Sequence, residues 1–549
     1  MARFRILSRT DEWSAGRFDA VALAVLAAGF ALRYRPASGS FVSPAEAWLA
    51  LLAAPEALSE LYANAARTTH PPLFLLLLHY ARQWIPTDLG LRLIPLAAGA
   101  LLPWAVYRWI GRSWGPSAGL AALAMLSLAP GLICLSAEAR ADSLTLLFMA
   151  GALCWLDRAL ARSSAWRMAA FAACLWGAIL SGFAAAYFTV AAAVYFLFRS
   201  RGERPAAGVW IVWGFSQAGA AALYALLWTT QLQALRAVAA SAPSAGGWPR
   251  HACPPAEQSW VFCELWTAAV QGRLPLRALV PAAAAILLFV AGLYFVWRRP
   301  PGGAVWHGRA MAALLVIPVL GACGSPAAAL FPYRWPGDAV LLALFGTAGV
   351  AIALGRIARR WIAPLTLIAA VAVAVWHGVE GPRQMEEVRK EWMEQALDFL
   401  KRSAPPGTVI LTEGELRVVL VYYLEPEAGP PETRGGPSEK AVGGWRMFAN
   451  RWEFRSLEDL RTDLRLLRAR YGLGPEVRVW VLDGGFEPGL GPDLEALHRR
   501  GELPHFYRFG RAMAIALTPP RFLWEGSRSA QAQESPRAGA ASPAGAGSE

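Results

Sequence analysis

Ionisable residues in this sequence stand beside long apolar segments, where a charge is costly and usually has a function. The candidates are Glu46, His70, Glu138, Arg140, Asp142, Tyr333, Arg334 and Asp338. The densest group lies in the stretch SAEARADSLTLL, which places two carboxylates around one arginine. A carboxylate can accept a proton from a hydroxyl group, and a guanidinium can offset charge on a phosphate. These stretches are therefore the first candidates for a functional site.

Structural interpretations of the same residues stay open. Glu46 could be a carboxylate at a helix start, and Asp142 could be a helix cap. Arg140 and Glu138 could form an ion pair that closes a turn. His70 precedes two prolines and could cap an interfacial helix. Glu46 and Asp142 are also oxygen ligands of the kind that a divalent metal ion accepts, so a metal cofactor is an open expectation.

The composition predicts a polytopic α-helical membrane protein. Apolar residues make up 56% of the 549 residues and charged residues only 17%, which excludes fibrous and wholly disordered classes. The net charge of +13 is not arranged in basic runs interleaved with aromatic residues, so no nucleic-acid partner is expected. About eleven apolar segments approach the length of a membrane span. They are 18–33, 91–107, 117–135, 143–157, 168–180, 183–198, 208–229, 278–297, 310–324, 337–355 and 361–378.

The positions of the arginines predict the orientation in the membrane. Arginines cluster in alternate connections, at residues 3–9, 108–112, 158–162, 199–204, 298–299 and 356–360, and such connections are normally cytoplasmic. The amino terminus is then cytoplasmic, with no cleavable signal sequence expected. The loops 34–90, 136–142, 230–277 and 325–336 face the other side. Within the uncharged stretch 168–198, a turn at Ser181-Gly182 is expected between two short helices.

The character of the chain changes after residue 379. Residues 1–379 are expected to form the membrane domain, and residues 380–525 a small soluble α/β domain outside the membrane. The predicted elements of this domain are helices at 389–401, 415–424 and 457–471 and strands at 409–411 and 477–482. Residues 526–549 are rich in Ser, Ala, Gly and Pro and are expected to be a disordered tail.

The six cysteines divide into two groups. Cys134, Cys154, Cys174 and Cys323 lie in or near apolar segments, where a cysteine is usually a small apolar residue. Cys253 and Cys263 share the outer loop 230–277, where an oxidising compartment would permit a disulfide between them.

The order of these motifs resembles the membrane glycosyltransferases of the GT-C fold. Within that fold the similarity is to bacterial relatives of protein O-mannosyltransferases and lipid A aminoarabinose transferases. It covers roughly residues 15–380 and rests on three features: an acidic motif after the first span, the segment His70-Pro71-Pro72-Leu73, and the turn Glu138-Ala139-Arg140-Ala141-Asp142.

The resemblance implies inverting transfer of a sugar from a polyprenyl-phosphate donor to a glycolipid, glycan or protein acceptor. The site would lie at the periplasmic face of a bacterial inner membrane. Glu46 and Asp142 would be the catalytic acids, and substrate binding would involve His70, Glu138, Arg140, Tyr333 and Arg334. Relatives usually have Asp-Glu in the first motif, whereas Ala45 precedes Glu46 here. Either Glu46 serves as the general base, or Asp142 takes that role, or catalysis is absent.

Two other functions are possible on the sequence alone. A transporter of lipid-linked sugars would favour charges at the bilayer midplane, and the absence of a visible internal repeat weakens this alternative. A catalytically silent relative that binds a partner through its outer domain is suggested by the missing aspartate.

Overall fold

The computed structural model describes residues 9–66, 68, 70–233, 276–298, 305–324, 341–379, 388–427, 429, 438–451, 454, 456–474, 477–484, 490–503, 505–510 and 512–518. The chain divides into two compact units. The first unit comprises Met1–Glu391 and Val418–Pro430, and the second comprises Trp392–Arg417 and Pro431–Glu549. The segment Val418–Pro430 therefore belongs to the helical unit although it follows a strand of the second unit in sequence.

The first unit is built from helices. Its amino-terminal half contains α1 (Arg9–Gly39), α2 (Pro44–Leu52), α3 (Leu58–Ala65), α4 (Pro72–Trp84), α5 (Asp88–Trp114), α6 (Pro116–Leu128), α7 (Pro130–Ala137) and α8 (Asp142–Ala161). It continues with α9 (Ala165–Ser181), α10 (Ala185–Glu203), α11 (Ala207–Leu227), α12 (Leu276–Arg298), α13 (Val305–Gly324), α14 (Thr347–Ile357) and α15 (Ile362–Val379). One π-helical turn, Trp228–Leu232, continues α11, and another, Leu342–Gly346, precedes α14.

Several of these helices can cross a membrane. Four described stretches are long and apolar enough to do so: Phe18–Gly39, Asp88–Trp114, Asp142–Ala161 and Ala207–Leu232. The pair α6 and α7 reaches the same standard as one broken span, bent by 58°. Shorter apolar helices occupy Ala165–Ser181, Ala283–Arg298, Val305–Gly321, Leu342–Ile357 and Ile362–Val373. The chain is a multi-pass membrane protein, as its composition predicts.

The helix boundaries refine the sequence predictions. α9 ends at Ser181 and α10 begins at Ala185, so the predicted turn at Ser181-Gly182 is confirmed. A Cβ atom on Gly182 would lie 2.7 Å from Oγ1 of Thr145, which explains the small residue at this close approach of α9 to α8. Residues 34–90, predicted as an outer connection, contain the end of α1 at Gly39 and the helices α2, α3 and α4, so much of this range is helical.

A buried arginine satisfies the carbonyl groups that are left without partners at the break between α6 and α7. Pro130 has no N–H, so the last carbonyl groups of α6 lack their usual partners. Arg33 of α1, only 1% exposed, donates from Nη1 to the carbonyl of Ser127 (2.6 Å) and from Nη2 to that of Leu126 (2.8 Å). Its charge is therefore held at the end of α6.

The second unit contains a six-stranded sheet with the order β2-β3-β1-β4-β6-β5. The strands are β1 (Val409–Thr412), β2 (Ser438–Val442), β3 (Trp445–Ala449), β4 (Val479–Asp483), β5 (His505–Phe509) and β6 (Met513–Thr518). The helices α18 (Leu457–Tyr471) and α19 (Gly491–Arg499) lie wholly in this unit, as does α16 (Lys390–Ser403) from Trp392 onward. The next helix, α17 (Gly414–Leu424), is divided between the units, and its residues from Val418 onward belong to the first. β1 pairs in parallel with β3 and β4, and the remaining pairs are antiparallel.

The sequence predictions in this region agree with β1, β4, α17 and α18 within a few residues. Strands β2, β3, β5 and β6 were not predicted. The predicted tail, 526–549, lies outside the described residues.

Candidate functional site

Glu46 is fixed at the start of α2 by a capping box. Oγ of Ser43 accepts a hydrogen bond from the backbone N–H of Glu46, and Oε2 of Glu46 accepts one from the N–H of Ser43 (2.9 Å). Pro44 occupies the first helical turn, where its missing N–H costs nothing. Glu46 is 1% exposed, so its carboxylate needs partners inside the protein.

Arg92 of α5 is the main partner of Glu46. Nε donates to Oε1 at 2.7 Å and Nη2 donates to Oε2 at 2.8 Å, a bidentate pair in which both side chains are 1% exposed. The remaining donors of Arg92 reach the carbonyl groups of Ala37 (2.9 Å), Ser40 (3.0 Å) and Phe41 (2.9 Å). Arg92 thereby fastens the end of α1 and the start of α2 to α5.

Arg92 was missed at the sequence level. It lies at the second position of the apolar segment 91–107, where a charge should itself have indicated a role.

A third contact joins Glu46 to the turn between α7 and α8. The backbone N–H of Ala139 donates to Oε1 of Glu46 at 2.8 Å. The carboxylate thus accepts four hydrogen bonds, which come from Ser43, Ala139 and two atoms of Arg92. Glu46 and the stretch 138–142 are 92 residues apart in sequence at their nearest, and the structure brings them together.

The electrostatics of Glu46 favour the ionised form. Burial by itself raises the pKa of a carboxyl group, but the charge of Arg92 and the hydrogen bonds from Arg92, Ser43 and Ala139 outweigh it and hold the pKa of Glu46 below its usual range. A carboxylate in this state gives up four contacts when it takes up a proton. Glu46 therefore holds Ser43, Arg92 and Ala139 together and is a poor proton acceptor.

The turn 138–142 carries an arginine between two acids. Nε of Arg140 donates to Oδ2 of Asp142 at 2.8 Å, and Nη1 lies 3.8 Å from Oε2 of Glu138. All three side chains are buried. Asp142 is the first residue of α8 and lies at the positive end of the helix dipole, beside Arg140. Among the described residues, Arg140 makes its hydrogen bond through Nε, and its terminal amine Nη1 lies within ion-pair distance of Glu138.

A second layer of polar groups supports Arg92. Asp88, one turn earlier on α5, accepts hydrogen bonds from the hydroxyl groups of Tyr422 (2.9 Å) and Tyr423 (3.3 Å), and Nζ of Lys390 lies 3.2 Å from it. The hydroxyl of Tyr423 in turn accepts the N–H of Val42 at 2.9 Å. Val42 follows the carbonyl groups that Arg92 binds, so these tyrosines stabilise the segment that leads into Glu46.

The other predicted residues have different outcomes. His70 lies just before α4, where its ring packs edge-on against Phe74 and its carbonyl accepts from Oγ1 of Thr68 at 2.7 Å. Tyr333, Arg334 and Asp338, and the predicted disulfide pair Cys253 and Cys263, lie outside the described residues.

The expectation that Cys134 is merely a small apolar residue is wrong, because it is disulfide-bonded. It lies in α7, which leads directly into the turn 138–142. A disulfide there is compatible with an oxidising compartment on that side of the membrane.

A metal ion does not fit around the two predicted acids. The oxygens of Glu46 are occupied by N–H donors, and Oδ2 of Asp142 accepts from Arg140. Within the described ranges, no group of three His, Cys, Asp or Glu side chains could hold a metal ion.

A buried acidic pair lies at the carboxyl edge of the sheet in the second unit. Glu413 follows β1 and Asp483 ends the neighbouring parallel strand β4. Oε1 of Glu413 accepts the N–H of Gly484 at 2.7 Å, and Oδ1 of Asp483 accepts the N–H of Leu490 at 3.3 Å. Burial and the charge of Asp483 raise the pKa of Glu413 well above its usual range, and burial raises the pKa of Asp483 to about 7.

Comparison with known proteins supports the resemblance seen in the motifs. Residues 69–229 match the family described as dolichyl-phosphate-mannose-protein mannosyltransferase. The match includes His70, Arg92 and the turn 138–142, so the predicted similarity to membrane glycosyltransferases is confirmed over this region. No relative was found among curated protein sequences.

Solved structures of two membrane proteins are similar to this chain. ArnT from Cupriavidus metallidurans in the apo state has 15% identity and a TM-score of 0.37, over 94% of this chain and 99% of that one. The same protein bound to undecaprenyl phosphate has 13% identity and a TM-score of 0.35, over 93% and 98%. The Archaeoglobus fulgidus oligosaccharyltransferase in the apo form has 11% identity and a TM-score of 0.46, over 84% and 69%.

Proposed function

We propose that the protein is an inverting membrane glycosyltransferase that takes its sugar from a polyprenyl-phosphate donor. The observation that carries this proposal is the turn 138–142, in which Arg140 stands between two carboxylates and is held against α2 by the bond from Ala139 to Glu46. The family match over residues 69–229 supports the same reaction class. The acceptor is a glycolipid, glycan or protein.

Arg140 is assigned to the donor phosphate. Its terminal amines offer paired N–H groups of the geometry that a phosphate accepts, and the surrounding protein strengthens each contact by excluding water. In the transfer step the bond between the anomeric carbon and the phosphate oxygen breaks, and negative charge grows on the departing polyprenyl phosphate. A cation fixed at that point stabilises the transition state more than the bound substrate.

Asp142 is assigned to the general-base role, which is the second of the alternatives that the sequence leaves open. The acceptor hydroxyl attacks the anomeric carbon from the face opposite the phosphate, and its proton passes to Asp142. Glu46 is then a positioning residue that fixes the turn through Ala139. The prediction that Glu46 is the base is not tested by the geometry, but its four hydrogen bonds favour the alternative.

The lipid part of the donor needs an apolar surface, which the membrane helices can provide. One of the similar structures, ArnT, is bound to undecaprenyl phosphate, and we extend that ligand class to this chain as part of the proposal. The site would face the periplasm of a bacterial inner membrane, with eleven spans, a cytoplasmic amino terminus and the second unit outside. The positions of the arginines support this orientation.

Transfer by the purified full-length chain tests the proposal. The protein, reconstituted in lipid nanodiscs, is given a panel of radiolabelled polyprenyl-phosphate sugars together with a membrane extract as acceptor source. The expected result is release of polyprenyl phosphate and transfer of label from at least one donor, both of which are lost in Arg140→Ala. Binding of a donor without transfer by the wild-type protein would support the silent relative, and absence of both binding and transfer would contradict the proposal.

A further inference from the structure

Two arginines and three aromatic rings cluster at one end of the helical unit, in a group that we call the arginine stack. Its members are Phe198, Arg201, Trp306, Arg309 and Trp297, and the rings of Phe198 and Trp306 stack directly on each other with their centroids 6.3 Å apart. The guanidinium of Arg201 lies 5.6 Å from the Phe198 ring and 5.2 Å from the Trp306 ring. That of Arg309 lies 5.0 Å from the Trp306 ring and 5.8 Å from the Trp297 ring. The stack joins α10, α12 and α13.

Contact with an aromatic ring does not use up the N–H donors of a guanidinium group. The ring attracts the positive charge, and the N–H groups can still donate to an anion. Arg201 and Arg309 are both exposed. Among the described residues neither forms an ion pair with a carboxylate, and the nearby Glu203 is paired with Arg199.

The two charges lie close together. Both contact the ring of Trp306, at 5.2 Å and 5.0 Å from its centroid, so the two charges are at most about 10 Å apart, which is within one Debye length at 0.1 M salt. Like charges at this distance repel one another unless an anion lies between them. The arginine stack therefore has the charge and the free donors of an anion site.

The surface that leads away from the stack is apolar. On α12, Leu287, Val290, Tyr294 and Trp297 are all exposed and are spaced three or four residues apart, so they share one face of the helix. Trp297, which is 59% exposed, ends this stripe and also belongs to the stack. The stripe covers eleven residues, and its ten steps of about 1.5 Å amount to about 15 Å, close to half of the hydrocarbon thickness.

We propose that the arginine stack binds the headgroup of an anionic phospholipid whose acyl chain lies along the stripe on α12. An anion site that continues into a lipid-facing apolar stripe of this length fits a lipid better than a free phosphate ion. Tryptophan and arginine together are typical of the interfacial level where headgroups lie. The stack lies in the arginine-rich connections, on the side opposite the turn 138–142 in the predicted topology, so this is not the donor site.

Native mass spectrometry of the purified full-length protein tests the proposal. Phosphatidylglycerol and phosphatidylcholine with identical acyl chains are titrated separately, and inorganic phosphate is added in a third series. The wild-type protein is expected to retain phosphatidylglycerol in preference to phosphatidylcholine and to keep it in millimolar phosphate. The variant Arg201→Gln/Arg309→Gln should lose about 30-fold in phosphatidylglycerol affinity, since an arginine near a membrane surface contributes about 1 kcal/mol to anionic lipid binding.

Two further variants make the result specific. Arg162→Gln/Arg167→Gln removes the same charge from the same side and should keep the preference for phosphatidylglycerol. Trp306→Leu keeps both charges but removes the shared ring, and should weaken the preference. Equal affinity of the wild-type protein for the two lipids, an equal loss in both double variants, or displacement of the lipid by phosphate would each overturn the proposal.

Discussion

At the scale of single residues, the structure gives different surroundings to Glu46 and Asp142, the two acids that the sequence left as equal candidates for the general base. Glu46 accepts four hydrogen bonds and is paired with Arg92, whereas Asp142 lies at a helix start beside Arg140. Because the oxygens of Glu46 are occupied by hydrogen bonds, we assign it a positioning role. Asp142 lies next to Arg140, the proposed phosphate ligand, and we assign it the proton transfer. The two residues should therefore respond differently to the same chemical change.

Asp142→Asn should lower transfer by about 10²- to 10⁴-fold, the usual contribution of a positioned base, while leaving the protein folded. The variant keeps an oxygen that can accept from Arg140. The initial rate of label transfer, measured beside size-exclusion profiles, checks this. If Asp142→Asn transfers sugar normally and Glu46→Gln is well folded but inactive, then Glu46 is the general base and the assignment to Asp142 is wrong.

Glu46→Gln should instead destabilise the protein. The change leaves the buried guanidinium of Arg92 without its counter-charge, and breaking such a pair typically costs about 3–5 kcal/mol. The fraction of protein that stays monodisperse after heating in detergent measures the loss. Glu60→Gln, the same change on the exposed surface of α3, serves as the control and should leave the profile unchanged.

Arg140→Ala should lower turnover by about 10²- to 10³-fold, the scale of a lost contact to a developing oxyanion. Arg140→Lys should recover only part of this, because an ammonium group cannot offer two parallel donors to one phosphate. Turnover and donor affinity in nanodiscs are the measurements. A variant Arg140→Ala with unchanged values of both would rule out the phosphate assignment.

Most residues of this site could be predicted from the sequence, but the contacts between them could not. Glu46, Arg140 and Asp142 were identifiable because charges beside apolar segments are rare. Arg92 was not identified, because a single arginine near the start of a membrane span looks like an ordinary boundary residue. The bond from Ala139 to Glu46 uses a backbone N–H, which has no sequence signature at all.

At the scale of helices and strands, small residues set how closely α5 and α7 approach. A Cβ atom on Gly99 would lie 2.1 Å from Oγ of Ser136, which sits two residues before Glu138. Gly99→Ala should push α7 and the turn 138–142 away, with a destabilisation of about 1–3 kcal/mol and reduced transfer. Gly111→Ala on the same helix meets its nearest atom at 3.9 Å and is the matched control. Equal thermal stability of the two variants would contradict this packing.

The acidic pair at the edge of the sheet should make the second unit sensitive to pH. The folded-state pKa of Asp483 is raised to about 7, so between about pH 4 and 7 the folded state binds more protons than the unfolded state and stability falls as pH rises. Hydrogen exchange of the β1 and β4 amides, corrected for intrinsic rates, should show less protection at pH 8 than at pH 6. Asp483→Asn combined with Glu413→Gln should remove most of this difference, and an unchanged difference would contradict it.

Long apolar helices were predictable because their patterns extend over many residues, and the strands β1 and β4 were predictable because each is a short, mostly buried apolar run. The short helices α2, α3 and α4 were not, because each is held by contacts with distant elements such as Arg92 and not by its own periodicity. Strands β2 and β5 are partly exposed and carry mixed polar residues, so neither alternation nor a buried run marks them.

At the scale of the whole molecule, the proposed orientation can be tested by labelling. A cysteine that replaces exposed Glu502 in the second unit should react with a membrane-impermeant thiol reagent in intact spheroplasts. A cysteine that replaces exposed Arg162, between α8 and α9, should react only after lysis. Each native cysteine is replaced in the background except Cys134 and its partner. The reverse labelling pattern would show that the topology is the opposite of the one proposed. Labelling of both positions in intact cells would show that an even number of spans lies between them.

The bond from Arg33 to the end of α6 also concerns how the protein is made. Arg33 enters the membrane in the first helix, yet the carbonyl groups of Leu126 and Ser127 are synthesised more than ninety residues later. Until α6 arrives, the translocon or a chaperone must shield a charge that lipid does not tolerate. The first helix should therefore be retained beside the insertion machinery until α6 emerges. Nascent chains arrested before residue 126 should crosslink to that machinery longer than chains arrested after residue 140, and Arg33→Leu should remove the delay.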